Sequence, residues 1–209
     1  MRLCFPMKRF LTSVLLFSTA AFVSAQDINL PAPRKTGGMP LMEALAKRSS
    51  ARAYDSAREL STQQLSDLLW AGFGVNRADG RRTAPSASNK QENEIHVAMK
   101  QGTYVYDAQK NVLRQTGTED LRSFMNGVQA PVVLVYVADL AKRGASGDDR
   151  KNVAAIDSGF IGQNVYLYCA SEGLSTVYRG GFDRAALKPK MNLKPDQEII
   201  AIQPVGYAK

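Results

Sequence analysis

The clearest helical pattern in the chain lies between residues 61 and 74. Ser61 and Gln64 form the S-x-x-Q pattern of a capping box, in which both side chains satisfy backbone groups at the start of a helix. The apolar face that follows consists of Leu65, Leu68, Leu69 and Gly72. Gly74 predicts where this helix ends.

Two further helices are predicted, one before and one after this segment. The segment PLMEALAKR indicates a short helix that begins after Pro40. Its apolar face consists of Leu41, Ala44 and Leu45. Residues 152–172 are apolar nearly all round and end before Gly173, which is typical of a central buried helix. Within it, Gly159 and Gly162 would allow a neighbouring group to approach the backbone closely.

Strands are predicted where apolar residues alternate with polar ones or form short runs. One alternation has the apolar members Ile95, Val97 and Met99. A partner strand is expected at 103–106, and apolar runs of strand length follow at 130–139 and 198–205. The run at 130–139 has no polar face and is expected to be covered on both sides.

The order of these elements predicts an α+β fold. Asp183 is expected to cap one more short helix, which Pro189 would end. Strands neither alternate strictly with helices nor form a separate block, so we expect a central mixed or antiparallel sheet surrounded by helices.

The N-terminus has the pattern of an export signal. Residues 1–25 combine a basic start, an apolar run too short to span a bilayer, and the ending Val23-Ser24-Ala25. We therefore expect cleavage after Ala25 and an exported protein, in the bacterial periplasm or outside the cell. Met7 could equally be the start, since MKRF alone supplies the basic head. Residues 26–40 are rich in proline and glycine and predict an arm or linker, which leaves a domain at 41–209.

Charge and cysteine usage exclude several classes of protein. The formal net charge of +8 falls to about +5 without residues 1–25, and the basic residues are spread along the chain. The sequence lacks the basic stripe with interleaved aromatic residues that is typical of nucleic-acid binding. No membrane span is expected in the processed chain. Only Cys169 remains after cleavage, so no internal disulfide is expected. Its apolar neighbours predict a small buried residue.

Motifs for catalysis by side chains alone are missing from the sequence. There is no GxSxG, HExxH, CxxC or Walker motif. The single histidine, His96, lies on the polar face of its strand, so a surface or rim residue without metal or catalytic partners is expected. If the protein is an enzyme, a cofactor therefore carries the chemistry.

Three short segments could bind such a cofactor. The first, RSSAR, sets Arg48 and Arg52 four residues apart, a spacing that would surround a phosphate if the segment is helical. Between them lie the hydroxyls of Ser49 and Ser50. Taken alone, this segment could equally be a solvated helix end in which the helix dipole favours cations.

The second segment is the loop RRTAPSASNKQ, residues 81–91. Pro85 stiffens it, and the small residues Ser86, Ala87 and Ser88 would let a flat ring lie close to the backbone. Asn89 offers a donor and an acceptor, as the edge of a heterocycle requires. An ordinary surface turn is the alternative.

The third segment is the glycine pair Gly180-Gly181, which precedes the capping Asp183. The exposed N–H groups of this pair could point at a ligand nitrogen or an anion. A plain glycine-rich connection remains the alternative.

Taken in order, these segments resemble the FMN-dependent nitroreductase family. The resemblance rests on RSSAR, PSASNKQ, DSGFIGQNVYLYCASEGL, GGFD and the terminal PVGY, and it covers residues 41–209. The stretch LLWAGFGVNRADGRRTAPSASNKQE is similar to the branch related to thiazole- and oxazole-forming peptide dehydrogenases.

The resemblance implies an FMN site and its residues. The FMN phosphate, the ribityl chain and one ring edge would be held by Arg48, Ser49, Ser50 and Arg52. The isoalloxazine ring would be lined by the loop residues Pro85, Ser86, Ala87, Ser88 and Asn89. The backbone at Gly180 and Gly181 would lie near flavin N5, and Lys209 is the basic residue available after the last strand for the phosphate.

The resemblance also implies a homodimer with two flavins at its interface, each built from both chains. Tyr54, Phe73 or Phe124 could then lie in that interface or in the core. Gly180 stands where relatives carry an acidic residue, so the substrate does not carry over from them.

The resulting functional hypothesis is an FMN-dependent oxidoreductase that moves two electrons through flavin N5. Its small organic substrate would be a nitroaromatic, a quinone or an unidentified compound, and its electron donor stays open because NAD(P)H is cytoplasmic. The competing hypothesis is an exported, non-catalytic module that binds a small ligand on the same scaffold.

Overall fold

The computed structural model describes residue 1 and residues 26–126, 128–144 and 149–209. The export signal predicted for residues 1–25, and with it the choice between Met1 and Met7, therefore lies outside the described residues apart from Met1 itself.

Seven strands and four helices make up the described chain. In chain order they are β1 Ile28–Asn29, α1 Leu41–Lys47, α2 Thr62–Phe73, β2 Asn93–Met99, β3 Gly102–Asp107, β4 Val112–Gly117, β5 Val132–Asp139, α3 Asp149–Glu172, β6 Leu174–Thr176, α4 Arg184–Leu187 and β7 Gln197–Tyr207. Short 3-10 turns occur at Ala87–Asn89, Leu121–Phe124, Leu140–Arg143 and Lys188–Lys190.

The strands form one antiparallel sheet in the order β1-β4-β3-β2-β5-β7-β6. The predicted α+β class is confirmed, with the antiparallel alternative realised. The central strand β5 is buried on both faces as expected, because its odd and even residues enter two different apolar clusters. Helices α2 and α3 cover one face of the sheet, and α4 with the short turns covers part of the other.

Local sequence signals set the ends of the helices as predicted. Ser61 and Gln64 form a complete capping box at the start of α2, and Gly74 follows its last residue. In α3, the ring of Tyr178 packs directly against the backbone of Gly162. A Cβ at this position would lie 2.5 Å from the ring, so only glycine fits here. Gly159 has open space around it, so only Gly162 serves the close approach expected of both.

Two expectations about burial are corrected by the fold. The face of α1 that carries Leu41 and Leu45 is exposed, at 61% and 43%. Helix α3 is buried on one side only, because Ile156 and Phe160 are 60% and 45% exposed. Both helices therefore present apolar side chains to the outside of the single chain.

The arm at residues 26–40 packs on the domain and is not a free linker. Its strand β1 pairs with β4. The side chain of Arg34 binds the buried carboxylate of Asp67 at 2.7 Å, and Met39 N donates to Ser171 Oγ at 2.8 Å. These contacts span between 33 and 132 residues of sequence, so no local pattern indicates them.

Cys169 is buried as predicted, and burial raises the pKa of its thiol, which keeps it protonated. No helix in the described ranges has the length and apolar character to cross a membrane.

Candidate functional site

A cavity of about 240 Å³ joins three cations from distant parts of the chain. Arg52, Arg179 and Lys209 lie in its wall, and the lining contains no Asp or Glu. We call it the basic cavity. Its volume is below the range of about 300–1,000 Å³ for a complete small-ligand pocket, so it suits one anionic end of a larger ligand.

Arg52 is positioned by a loop that is bonded to the edge of the sheet. Ala51 N donates to the carbonyl of Thr176 at 2.9 Å, and Asp55 N donates to the carbonyl of Tyr207 at 3.0 Å. Between them, the buried Tyr54 donates through its hydroxyl to the carbonyl of Ala51 at 2.8 Å. Burial raises the pKa of Tyr54 to about 12, so this phenol stays a donor at neutral pH.

The glycine pair lies beside the basic cavity. Arg179 makes two backbone hydrogen bonds with Ile202 of β7, at 2.8 and 3.0 Å, which fix the chain just before Gly180. Asn126, another residue of the cavity wall, donates its side-chain amide to the carbonyl of Gly181 at 2.9 Å. A Cβ at Gly181 would meet nothing within 4 Å, and one at Gly180 only Arg184 Nη2 at 3.9 Å. Packing therefore gives no reason for either glycine.

The RSSAR segment is not helical, which corrects the predicted spacing. Helix α1 ends at Lys47, and Arg48 is already extended. The Arg48 guanidinium lies 5.2 Å from the ring centroid of Tyr166, and Ser50 Oγ is 2.9 Å from the Tyr166 hydroxyl. Arg52 therefore lies in the wall of the basic cavity, whereas Arg48 and Ser50 lie against α3, and Ser49 is exposed.

The loop at residues 85–89 is exposed or partly exposed and has an unusual backbone. Ser88 and Asn89 adopt positive φ angles of 53° and 52°, and Gln91 follows at 47°. Gln91 bonds back through its N–H to Ser86 Oγ at 3.0 Å and through its side chain to Asn89 Oδ1 at 3.0 Å. Such a backbone costs energy unless surrounding contacts hold it, and it clusters at functional sites.

A buried carboxylate on α3 holds this loop. Ala87 N donates to Asp157 Oδ2 at 2.8 Å, and Asp157 is 3% exposed. Arg143 lies 3.9 Å from the same oxygen and 3.0 Å from Glu92, which is fully buried. Burial is the main cause that raises the pKa of Glu92, and the nearby Asp157 raises it further. The hydrogen bond from Arg143 acts in the opposite direction.

In the single chain, the loop at residues 85–89 lies apart from the segment that carries Arg48 and Ser50. Asp157, which holds the loop, and Tyr166, which contacts Arg48 and Ser50, are nine residues apart on α3, about 13 Å along its axis. Pro85 to Asn89 are absent from the lining of the basic cavity. The candidate residues thus form two separate groups in the single chain, and the exposed Ile156 and Phe160 lie on the same helix.

The structure also decides which aromatic residues belong to the core. Tyr54 and Phe73 are buried at 7% and 3% exposure and are core residues of the single chain, whereas Phe124 is partly buried against the second apolar cluster. Arg179 was missed by sequence reasoning as a cation of the site, although it directly precedes the glycine pair. In the described ranges, no group of three or more His, Cys, Asp or Glu side chains could hold a metal ion.

Comparison with known proteins finds similarity to nitroreductases over most of the chain. The model of the nitroreductase family matches residues 45–207. A protein of Methanocaldococcus jannaschii named provisionally as a nitroreductase is 29% identical over 182 residues, 79% of this chain and 90% of the relative. The crystal structure of a Ralstonia eutropha protein with a similar provisional name is 39% identical and has a TM-score of 0.85, covering 94% of this chain and 96% of the other.

One more distant neighbour shares the fold alone. The E. coli microcin synthetase complex has a TM-score of 0.69 at 18% identity, covering 95% of this chain and 76% of the other. The predicted resemblance is confirmed, and the family match over most of the sequence shows that this chain belongs to the nitroreductase family.

Proposed function

We propose that the protein is an oxidoreductase that depends on FMN. The observation that carries the proposal is the basic cavity, in which three cationic side chains and no acidic side chain lie beside a glycine pair that the fold itself does not require. Family membership supports an oxidoreductase in general, and this geometry supports a ligand with a phosphate at one end and a flat ring at the other.

The cations suit a phosphate group. Arg52 and Arg179 carry planar guanidinium groups that match phosphate oxygens, and Lys209 adds a point charge. Because the lining contains no acidic side chain, an anionic ligand would relieve the repulsion between them. Arg48, Ser49 and Ser50 lie next in sequence and would contact the middle of the ligand.

The glycine pair suits the approach of a ring. The open space over Gly181 would be filled by a Cβ of any other residue, so a side chain there would stand where a ligand lies against the backbone. When bound, FMN supplies hydride exchange at its N5 atom with a small organic substrate. The chain binds the cofactor, orients its ring and keeps the backbone N–H groups of this turn available to it.

A second copy of the chain completes this site in our proposal. Residues 85–89 lie outside the basic cavity, so the loop of one copy would line the ring held by the other. The apolar side chains exposed on α1 and α3, Met42 at 76% and Ile156 at 60% among them, would be covered in such a homodimer.

The phosphate assignment is tested by comparing FMN with riboflavin, which lacks the phosphate. We expect Arg52→Gln and Arg179→Gln each to weaken FMN binding about tenfold or more, the value of one charge-assisted hydrogen bond. Riboflavin affinity should change little. Arg77→Gln, at an exposed arginine outside the cavity lining, is the matched control.

Equal losses for both ligands would contradict the phosphate assignment. A protein that stays colourless and binds neither ligand would contradict FMN dependence altogether. A yellow protein whose bound FMN is reduced by dithionite but passes no electrons to any acceptor would favour the non-catalytic module.

Export is proposed separately, from the sequence of residues 1–25 alone. Mass spectrometry of the protein recovered from its native compartment should give a chain that begins at Gln26. A chain recovered there with residues 1–25 intact would contradict cleavage after Ala25.

A further inference from the structure

A second cavity opens where strands β2 and β3 separate. Their paired residues run from His96 with Val105 to Met99 with Gly102, and residues 93–95 of β2 pair only with β5. At this end lies a cavity of about 450 Å³, within the range for a complete small ligand. We call it the sheet cavity. Its lining shares no residue with that of the basic cavity.

His96 forms part of the wall of the sheet cavity and is unsatisfied there. Its side chain is 6% exposed, which corrects the expectation of a surface or rim histidine. Neither ring nitrogen has a hydrogen-bond partner within the described part of the chain. Glu94 Oε2 is 3.7 Å from His96 Nε2, beyond hydrogen-bond distance. Buried polar atoms are normally paired, so a ligand in the cavity is the natural partner for this ring.

The charges of the lining leave a positive excess. Glu94 pairs with Lys142 at 3.1 Å, and Asp107 pairs with Arg114. Arg82 and Lys194 also lie in the lining, and in the described ranges neither has a carboxylate within 4.0 Å. In the described ranges, two positive charges of the cavity therefore have no carboxylate partner.

The position of one of these cations is fixed. Arg82 donates through Nε to Gln91 Oε1 at 2.8 Å and through Nη1 to the carbonyl of Phe73 at 3.0 Å. Its guanidinium also lies 4.9 Å from the Phe73 ring centroid. A fixed guanidinium loses little freedom when it binds an anion, which favours recognition.

The carboxylate of Glu94 limits how much negative charge a ligand can bring. Burial alone would raise the pKa of Glu94, but His96 and Lys142 beside it lower the pKa to about 2, so it stays ionised. Two unpaired cations beside two carboxylates suit a monoanion better than a phosphate dianion. Phe73, Ile95, Val105 and Met191 add apolar surface to the same lining.

We propose that the sheet cavity binds a small aromatic carboxylate. Its carboxylate would pair with Arg82 and Lys194, its ring would lie on the apolar part of the lining, and a polar ring substituent would bond His96. This cavity is separate from the basic cavity, because the two share no lining residue. It borders the loop at residues 85–89 through Gln91.

The single histidine of the chain makes a direct test available. In protein without a histidine tag and labelled with ¹⁵N-histidine, His96 gives the only imidazole signals. We expect 4-hydroxybenzoate to shift them saturably at millimolar concentration, and the uncharged 4-hydroxybenzyl alcohol to bind at least about fivefold more weakly, because it lacks the anion. Signals that stay unchanged up to about 10 mM 4-hydroxybenzoate would overturn the proposal.

Variants decide whether the shift reports binding in this cavity. Lys194→Gln should weaken 4-hydroxybenzoate binding about threefold or more, since Lys194 is one of the two unpaired cations. Lys151→Gln, at an exposed lysine of α3, should leave it unchanged. Arg52→Gln should also leave it unchanged. Equal affinity in Lys194→Gln, or a loss in Arg52→Gln, would overturn the proposal, the latter by placing the probe in the basic cavity.

Discussion

The two ends of the proposed FMN site are held by different kinds of interaction. At the cation end, backbone hydrogen bonds to Thr176, Ile202 and Tyr207 fix the segments that carry Arg52 and Arg179. At the loop end, residues 85–89 have a backbone with positive φ angles, which is held by side-chain bonds within the loop and to Gln91 and by one bond to the buried carboxylate of Asp157.

The cation end is therefore positioned by backbone bonds to the sheet, whereas the loop end is positioned by side chains. A backbone ladder survives the substitution of any one side chain, because its donors and acceptors belong to the main chain. A loop that depends on one buried carboxylate changes with that carboxylate. We therefore expect the loop end to be the end that single substitutions and pH disturb.

The largest expected effect is that of Asp157→Ala. It removes the acceptor of Ala87 N–H and one of the two carboxylates near Arg143, so we expect the free energy of unfolding to fall by about 3 kcal/mol. Asp157→Asn retains an acceptor oxygen and should lose about 1 kcal/mol. Urea denaturation measures both.

Glu43→Ala is the control for these two variants. Glu43 forms an exposed i,i+4 pair with Lys47, and such a pair contributes about 0.5 kcal/mol or less. A loss from Asp157→Ala as small as that from Glu43→Ala would contradict the anchoring role of Asp157.

A smaller effect is expected from glycine substitutions near the cation end. Gly162→Ala would place a Cβ 2.5 Å from the Tyr178 ring, whose chain leads directly into Arg179. Overpacking destabilises the folded state by about 1–3 kcal/mol, and the higher helix propensity of alanine offsets up to about 1 kcal/mol of this. We therefore expect the free energy of unfolding to fall by about 1–2 kcal/mol. The measurement is the free energy of unfolding.

Gly181→Ala is the matched variant at the turn. Its new Cβ meets nothing within 4 Å, so stability should change by less than about 0.5 kcal/mol, whereas FMN binding should weaken. Unaltered FMN binding in Gly181→Ala would remove the argument that the open space over this turn belongs to a ligand.

Elements with a complete local signal could be predicted from the sequence. The capping box at Ser61, the doubly buried strand β5 and the long helix before Gly173 each depend on residues close together in the chain. Strand β4 could not be predicted in this way. Its sequence VLRQTG is mostly polar, and pairing with β3 and β1 specifies it.

The candidate site was predictable in its residue types but not in its assembly. Arg52 and Lys209 were expected to bind a phosphate, yet their meeting with Arg179 depends on how the segments at 51–55 and 174–179 contact β7. His96 was placed on the correct face of its strand, but its surroundings include residues far away in sequence. Gln197, which bonds the neighbouring Glu94, lines the same cavity.

The smallest expected effect is a pH dependence at the loop end. The pKa of Glu92 in the folded protein is raised above its unfolded value, mainly by burial, so the folded state holds this proton more tightly. The resulting stabilisation is fully present below the unfolded pKa, near 4.5, and is lost as pH rises through the folded pKa. Glu92→Gln keeps a neutral side chain and should not show this loss.

Melting temperatures of wild type and Glu92→Gln between pH 4 and 9 test this linkage. The two curves should separate as pH rises, with the variant retaining more of its stability, whereas Glu43→Gln should follow the wild type. Because Glu92 and Asp157 share Arg143, the same rise in pH should also loosen the loop at 85–89. Parallel curves for wild type and Glu92→Gln would contradict a pH dependence of the loop end through Glu92.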